Sequence, residues 1–208
     1  MNTSTSTPSF DERAKLWDAD PMKTARAQAV ADAILANVRP TEGMRGFEYG
    51  CGTGLLSFCL QEHLQHITLA DSSTGMLEVL REKIAATGCK NMASVQLDLT
   101  TDPLPDERFD ITYSLMTFHH IPGTDAILRD LHALLAPSGY LCIADLDSED
   151  GSFHSYEFHG HKGFDRDDLA RRAGAAGFRN IRFSTVFTIR KGSPEREYPV
   201  FLMIAEKN

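Results

Sequence analysis

Phe47-Glu48-Tyr49-Gly50-Cys51-Gly52-Thr53-Gly54 sets three glycines at alternate positions between a short apolar run and an amphipathic helical pattern. Glycine lets a strand turn this sharply into a helix while bare backbone approaches a ligand. The helix that follows aims unpaired amide N–H groups at the turn, so a polar or anionic ligand group finds donors there. Glu48, just before the turn, argues against a phosphate in the nearest position, because two anions repel. A cationic group suits it better, and an amino-acid moiety, which carries both signs, fits the turn. Asp71 follows Gly52 by 19 positions, at the end of a second apolar run. A carboxylate there accepts both hydrogens of a ribose diol.

These residues need elements that bring them together. Phe10 to Val38 reads as helical, with Pro21 at a break or first turn, and Pro40 and Gly43 end it. Strands are predicted at Gly46–Tyr49, His66–Ala70, Met92–Leu97, Phe109–Ser114 and Tyr140–Asp145. Helices are predicted at Leu55–Leu64, Ser73–Thr87, Thr124–Leu135 and Asp165–Ala176. Ser72 or Ser73 would cap the Ser73–Thr87 helix and Gly88 would stop it. Two further extended runs, Ile181–Ile189 and Tyr198–Ala205, flank Gly192-Ser193-Pro194 with no helix between them, so they should pair antiparallel. Strands alternating with helices predict an α/β fold: a Rossmann-like, doubly wound sheet of seven strands, mostly parallel with an antiparallel last strand, covered by helices on both faces. Ligands of such sheets bind outside the carboxyl ends of the strands, at the switch point in strand order. That rim collects Glu48, Asp71, Asp98, Ser114 and Asp145, of which four are carboxylates.

The 208 residues suit one domain, predicted over residues 10–208 behind a disordered tail at 1–9, with an N-terminal helical lid over 10–40 and a substrate-side insertion over 147–164. A net charge of −8 is a poor match to nucleic-acid phosphates or an anionic membrane. The start of the chain is Ser/Thr-rich without an apolar core, no long apolar run follows, and Cys51, Cys59, Cys89 and Cys142 form no Cys-x-x-Cys pair. The expectation is a cytoplasmic protein with free cysteines.

The glycine run lacks a third glycine after two spacers; Leu55 stands where the dinucleotide pattern would place it. With Glu48 before the turn and Asp98 ending the third strand, the combination resembles the class I S-adenosylmethionine-dependent methyltransferases. Within them it is similar to the small-molecule branch that includes the ubiquinone/menaquinone-biosynthesis C-methyltransferases. Asp71-Ser72-Ser73-Thr74-Gly75-Met76-Leu77, Asp98, Phe109-Asp110 through His120, and Leu134 to Tyr140 carry the rest of the resemblance, which runs from about Phe10 to Lys207. Ser138 departs from the family's usual Pro-Gly-Gly in the last of these.

The resemblance implies S-adenosyl-L-methionine as cofactor, released as S-adenosyl-L-homocysteine. Gly50 and Gly52 would border its methionine part, with Glu48 facing the amino group. Asp71 and Ser72 would lie at the ribose and Met76 against the adenine. Asp98 would meet the adenine amine and the Leu99 backbone a ring nitrogen, while Ser114 and Leu115 would line the sulfonium side. Phe10 and Trp17 resemble the lid such enzymes fold over the cofactor. Each has a plainer reading: Asp71 as a helix cap, Asp98 as a turn residue, Met76 and Trp17 as core.

Methyl transfer needs a base only if the acceptor must shed a proton. His119 and His120, after the fourth strand, are the best-placed candidates, ahead of Asp145, His154, Tyr156, His159 and His161. The aromatic and His-rich insertion suits a wall for a flat acceptor better than a metal site, and no metal is expected. The predicted partner is a small-molecule methyl acceptor, without nucleic acid or membrane, for a monomer or homodimer. Two alternatives share the layout: a nicotinamide-dependent oxidoreductase, which the glycine spacing and Glu48 count against, and a non-catalytic S-adenosylmethionine-binding partner subunit.

Overall fold

The computed structural model describes residues 9–154 and 156–208. The tail predicted over 1–9 lies outside the described residues except for Ser9. The Ser9 hydroxyl accepts from the Glu12 amide while the Glu12 carboxylate accepts from the Ser9 amide, a reciprocal cap on the short helix α1 (Phe10–Arg13). A 3-10 segment, Ala14–Ala19, leads to α2 (Pro21–Val38), which Pro21 opens from its first position and Asp20 caps through the Met22 amide.

Five parallel strands follow: β1 (Arg45–Tyr49), β2 (His66–Asp71), β3 (Met92–Gln96), β4 (Phe109–Leu115) and β5 (Leu135–Leu146). Between them run α3 (Leu55–Leu60), α4 (Thr74–Thr87) and α5 (Thr124–Leu134); α6 (Arg166–Ala175) precedes the hairpin of β6 (Arg179–Lys191) and β7 (Arg196–Glu206). The strand order is β3-β2-β1-β4-β5-β7-β6, with β7 antiparallel to both neighbours. The predicted doubly wound sheet is thus the observed one. Its chain order reverses between β1 and β4, which is where such sheets open a ligand crevice.

Burial alternates along each central strand. Val200, Leu202 and Ile204 face one apolar cluster with Cys142 and Ala144 of β5 and with Ile34 and Leu56 from the helices. Phe201, Met203 and Ala205 face the other with Leu141, Ile143, Leu128 and Leu169. Because both faces are covered, the strands read as unbroken apolar runs rather than as alternating ones.

Boundaries moved where side chains close an element early. The helix predicted to Leu64 ends at Leu60 and tightens into a 3-10 turn at Gln61–His63, because the Asn91 amide donates to the carbonyls of Gln61 (2.7 Å) and Leu64 (3.0 Å). Ser73, rather than Ser72, caps α4. β5 begins at Leu135 rather than Tyr140, and the Pro137-Ser138-Gly139 lead passes through Ser138 at φ 62°, the left-handed region.

Candidate active site

At the head of β1 the chain turns through Gly50, Gly52 and Gly54 at φ 69°, 52° and 80°. Residues with a Cβ pay for this conformation, and at Gly50 there is also no room: a Cβ would come within 2.8 Å of three atoms of the Thr117 side chain. Thr117 follows β4, and its hydroxyl donates to the Gly50 carbonyl at 3.1 Å, which fixes the turn to the neighbouring strand at the switch point. Asp71 fixes it from the other side. Its Oδ2 accepts from the Gly52 amide at 2.7 Å and its Oδ1 from the Ser73 amide at 2.8 Å. Asp71 is therefore no helix cap, since Ser73 fills that role through the Met76 amide.

Of the segment predicted as a lid over 10–40, Asp11 and Asp18 are clamped beside this turn, whereas α2 packs into the core through Ala27, Val30 and Ile34. Asp11 Oδ1 accepts from the Ser73 hydroxyl (2.5 Å) and the Gly75 amide (2.8 Å) at the start of α4. Asp18 accepts from the Thr53 hydroxyl (2.5 Å) and pairs with Lys83 (2.6 Å), which also donates to the Thr53 carbonyl. Trp17 lies over the turn, its Nε1 3.9 Å from where a Gly52 Cβ would stand.

Beneath the lid is a cavity of about 730 Å³, within the range of small-molecule sites. Glu48, Gly50, Gly52 and Asp71 line it, followed by Ser72, Met76 and Asp98. Leu115, His119 and His120 line the side below β4, and Trp17 closes the top. Two expected residues do not reach it. The Leu99 amide donates to the Tyr49 hydroxyl at 3.2 Å, so it has no free N–H for an adenine nitrogen. Ser114 is buried under the floor, with its hydroxyl donating to the Tyr49 carbonyl at 2.8 Å. Asp98 faces the cavity while accepting from the Thr100 amide and hydroxyl.

Glu48 is only 2% exposed and accepts from the Ser57 hydroxyl at 2.5 Å; Ser57 also bonds the Tyr113 hydroxyl. Burial pushes the Glu48 carboxyl up to about 8 despite the Ser57 bond. Burial also raises Asp71, although the Ser73 and Gly52 amides pull it back.

The two candidate bases differ. His119 is 2% exposed and its Nδ1 lies 2.7 Å from Asp145 Oδ1, a carboxylate with no exposure at the end of β5. Asp145 also accepts from the His119 and Leu146 amides. Burial pushes the Asp145 carboxyl up, but the His119 charge and these bonds outweigh it and hold it below the usual range. An ionised Asp145 takes the Nδ1–H of His119, which leaves Nε2 as the ring's proton acceptor. His120 has no such partner. Burial is the main cause that depresses it to about 3, and a proton on the neighbouring His119 would act in the same direction.

The 147–164 insertion divides in two. Phe153, His154 and Tyr156 line the cavity, with Phe158 stacked on His154 at 3.7 Å. His161 instead holds the segment down: its amide donates to the His119 carbonyl at 2.7 Å and its Nε2 sits 2.9 Å from the Ile121 carbonyl. Sequence reasoning missed several lining residues, among them Met116, Arg26 and Lys191. Met116, at φ 55°, gives no sequence signal of its left-handed backbone, since only a glycine would have flagged it.

Residues 47–139 match a family model described as a methyltransferase domain. An uncharacterized methyltransferase of Schizosaccharomyces pombe is 31% identical over 139 residues, covering 62% of this chain and 49% of that protein. The ubiquinone/menaquinone biosynthesis C-methyltransferase UbiE of Vibrio campbellii is 29% identical over 126 residues, covering 56% and 49%. The chain spans about half, or less, of the length of the curated relatives it matches. A solved S-adenosylmethionine-dependent methyltransferase from Aquifex aeolicus shares the fold, with a TM-score of 0.71 at 21% identity over 95% of this chain and 98% of that one. Residues 47–139, which carry the glycine turn and the acidic strand ends, are a methyltransferase domain, and the chain is similar there to S-adenosylmethionine-dependent methyltransferases.

Proposed function

We propose that the chain methylates a small-molecule acceptor and that the buried His119–Asp145 pair receives the acceptor's proton. One observation carries this reading: a single cavity is lined both by the glycine turn with its acidic rim and by His119, whose Nδ1 is held from behind by the fully buried Asp145. The cradle fits the cofactor. A Cβ at Gly52 would meet nothing nearer than Met76 Sδ and Trp17 Nε1, both at 3.9 Å, so the backbone there is open to a ligand. Glu48 offers a buried carboxyl for an ammonium group, Asp71 keeps lone pairs for a ribose diol beyond its two amide bonds, and Asp98 accepts from an adenine amine.

When bound, S-adenosylmethionine supplies a methyl group on a positively charged sulfur. The protein contributes alignment and exclusion of water, with Phe10 and Trp17 closing the lid side. His119 Nε2 takes a proton from an acceptor hydroxyl, amine or activated carbon, and Asp145 positions the ring and stabilises the imidazolium. His120, held neutral, serves as a hydrogen-bond partner and not as a base. The aromatic wall of Phe153 and Tyr156 favours a compact acceptor. The net charge of −8 counts against nucleic acid. Among the described residues no helix is long and apolar enough to cross a membrane, and the reading is of a cytoplasmic monomer or homodimer.

The test is incubation with methyl-labelled S-adenosylmethionine and a panel of small metabolites, comparing wild type with His119→Asn. Wild type should yield a labelled product. The variant should lose about 10²–10⁴-fold in kcat while its cofactor affinity holds. Tight cofactor binding without product from any acceptor would instead leave a binding module, and binding of NADH alone would discard the reading.

A further inference from the structure

Three side-chain atoms are buried without a hydrogen-bond partner among the described residues: Arg26 Nε, His154 Nε2 and Thr112 Oγ1. Arg26 and His154 both line the cavity. A buried unpaired donor on a guanidinium is costly, so the structure keeps it there for a partner that arrives. The carboxylates nearest in charge to Arg26 are Asp145 and Asp20. Asp145 is committed to His119 and Leu146, and Asp20 to the Met22 amide.

Lys191 repeats the pattern. It stands at the end of β6, three strands beyond β4 in the sheet order, and lines the same cavity. Its ammonium lies 3.8 Å from the centre of the Phe153 ring and makes no ion pair among the described residues. Its nearest carboxylate in charge is Glu149, which is spent on the amides of Gly151 and Phe153.

The other two lining cations, Arg13 and Lys23, pack on the Trp17 ring. Lys23 lies 3.5 Å from the Trp17 ring centre and Arg13 5.5 Å, and Trp17 sits over Gly52. Lys23 also donates to the Trp17 carbonyl at 3.3 Å, so both cations are engaged by the residue above the turn. Arg26 and Lys191 thus face the cavity without a side-chain ion pair among the described residues.

We infer that the methyl acceptor is an anion whose carboxylate or phosphate is held by Arg26 and Lys191, with His154 Nε2 completing the contact and Phe153 beneath it. This rests on the methyltransferase reading for the word acceptor, but not for the anion site. Arg26 supplies a planar fork that matches either oxyanion, and Lys191 a point charge. His154 is depressed to about 4 by burial and by His119, so it joins as a neutral ring and does not add a fifth cation.

The test is calorimetry on the full chain, with and without saturating S-adenosylhomocysteine, using benzoate, phenyl phosphate and neutral benzyl alcohol as probes. At least one anion should bind tenfold or more tighter than benzyl alcohol, and which one wins separates carboxylate from phosphate. Arg26→Gln and Lys191→Met should each weaken that anion at least fivefold and leave benzyl alcohol and S-adenosylhomocysteine unchanged. Arg26→Lys, which keeps charge and stem, guards against a folding defect. Equal binding of anion and neutral probe, or anion binding indifferent to both substitutions, overturns the inference. Arg26→Gln weakening S-adenosylhomocysteine but not 5′-methylthioadenosine would assign that guanidinium to the nucleoside's amino-acid end and also overturn it. Failure of the methyltransferase reading looks different: no nucleoside binds, while the anion preference and its loss in the variants persist.

Discussion

The two ends of the cavity are built from different materials. The nucleoside end is backbone: a glycine turn held by Asp71 and Thr117, and strand ends that deliver carboxylates to one rim. The acceptor end is side chain: rings from the insertion, a histidine pair after β4, and cations drawn from α2 and β6. A backbone site tolerates little substitution because its conformation and its binding groups are the same atoms. A side-chain site can be rebuilt residue by residue around a fixed frame, which is how one fold serves many acceptors.

The largest effect that comparison predicts is at Gly50. Gly50→Ala puts a Cβ into Thr117 at a left-handed φ, so strain and overpacking combine to cost about 2–4 kcal/mol. Denaturant unfolding should show that loss, and cofactor affinity should fall with it by about a hundredfold. A Phe153→Ala variant at the other end should keep cofactor affinity within a few-fold. Equal damage to cofactor binding from both would erase the division.

Asp71→Ala comes next. It removes the acceptor for the Gly52 and Ser73 amides, and cofactor binding should weaken by about 1–3 kcal/mol, the cost of a buried polar group left unpaired. Calorimetry with S-adenosylhomocysteine measures it. Unchanged affinity would mean that the turn holds its shape through Thr117 alone.

These contrasts also explain what could be read from the sequence. Gly50 to Gly54, Asp71 and Asp98 announce themselves because glycine spacing and a polar residue ending an apolar run are local signals. The doubly wound, mostly parallel sheet was legible for the same reason, as strand–helix alternation admits few packings. Leu99 and Ser114 misled because position on the rim does not say which way a group points: Tyr49 takes the Leu99 amide and offers its carbonyl to Ser114. Arg26 and Lys191 were silent because a helix arginine and a strand-end lysine are ordinary surface residues until packing buries them. His119 and His120 are adjacent and alike in sequence, and only Asp145, 26 positions from His119, tells them apart.

A pH experiment sharpens the nucleoside end. With Glu48 raised to about 8 by burial, the folded state holds a proton that the unfolded chain, near 4.5, has lost. Stability from this group therefore falls as pH rises from about 4.5 to about 8 and is flat above. Cofactor binding runs the other way, because an ammonium ligand favours the ionised carboxylate. Affinity should climb by up to about tenfold per pH unit below 8, with a proton released on binding, and Glu48→Gln should flatten both trends. Calorimetry in buffers of different ionisation enthalpy counts the proton. A wild type as flat as the variant would place Glu48 outside the ligand's reach.

The smallest effect concerns the lid. At Gly75 a Cβ would stand 2.8 Å from the Asp11 Cα and 3.0 Å from its carbonyl oxygen, so Gly75→Ala pushes against the backbone of α1, not against a flexible tip. The helix itself gains, since alanine is favoured over glycine by up to about 1 kcal/mol within a helix. Global stability should therefore hold or rise while the Asp11 clamp loosens. Amide exchange over Phe10–Ala19 should quicken, and S-adenosylhomocysteine should dissociate about three- to tenfold faster. The Asp18 clamp on Thr53 and Lys83 remains to limit the effect. Anion binding at Arg26 and Lys191 should not follow, because neither residue touches Asp11 or α4. If it weakens in step with the nucleoside, the lid governs the whole cavity and the two ends are a single cooperative site.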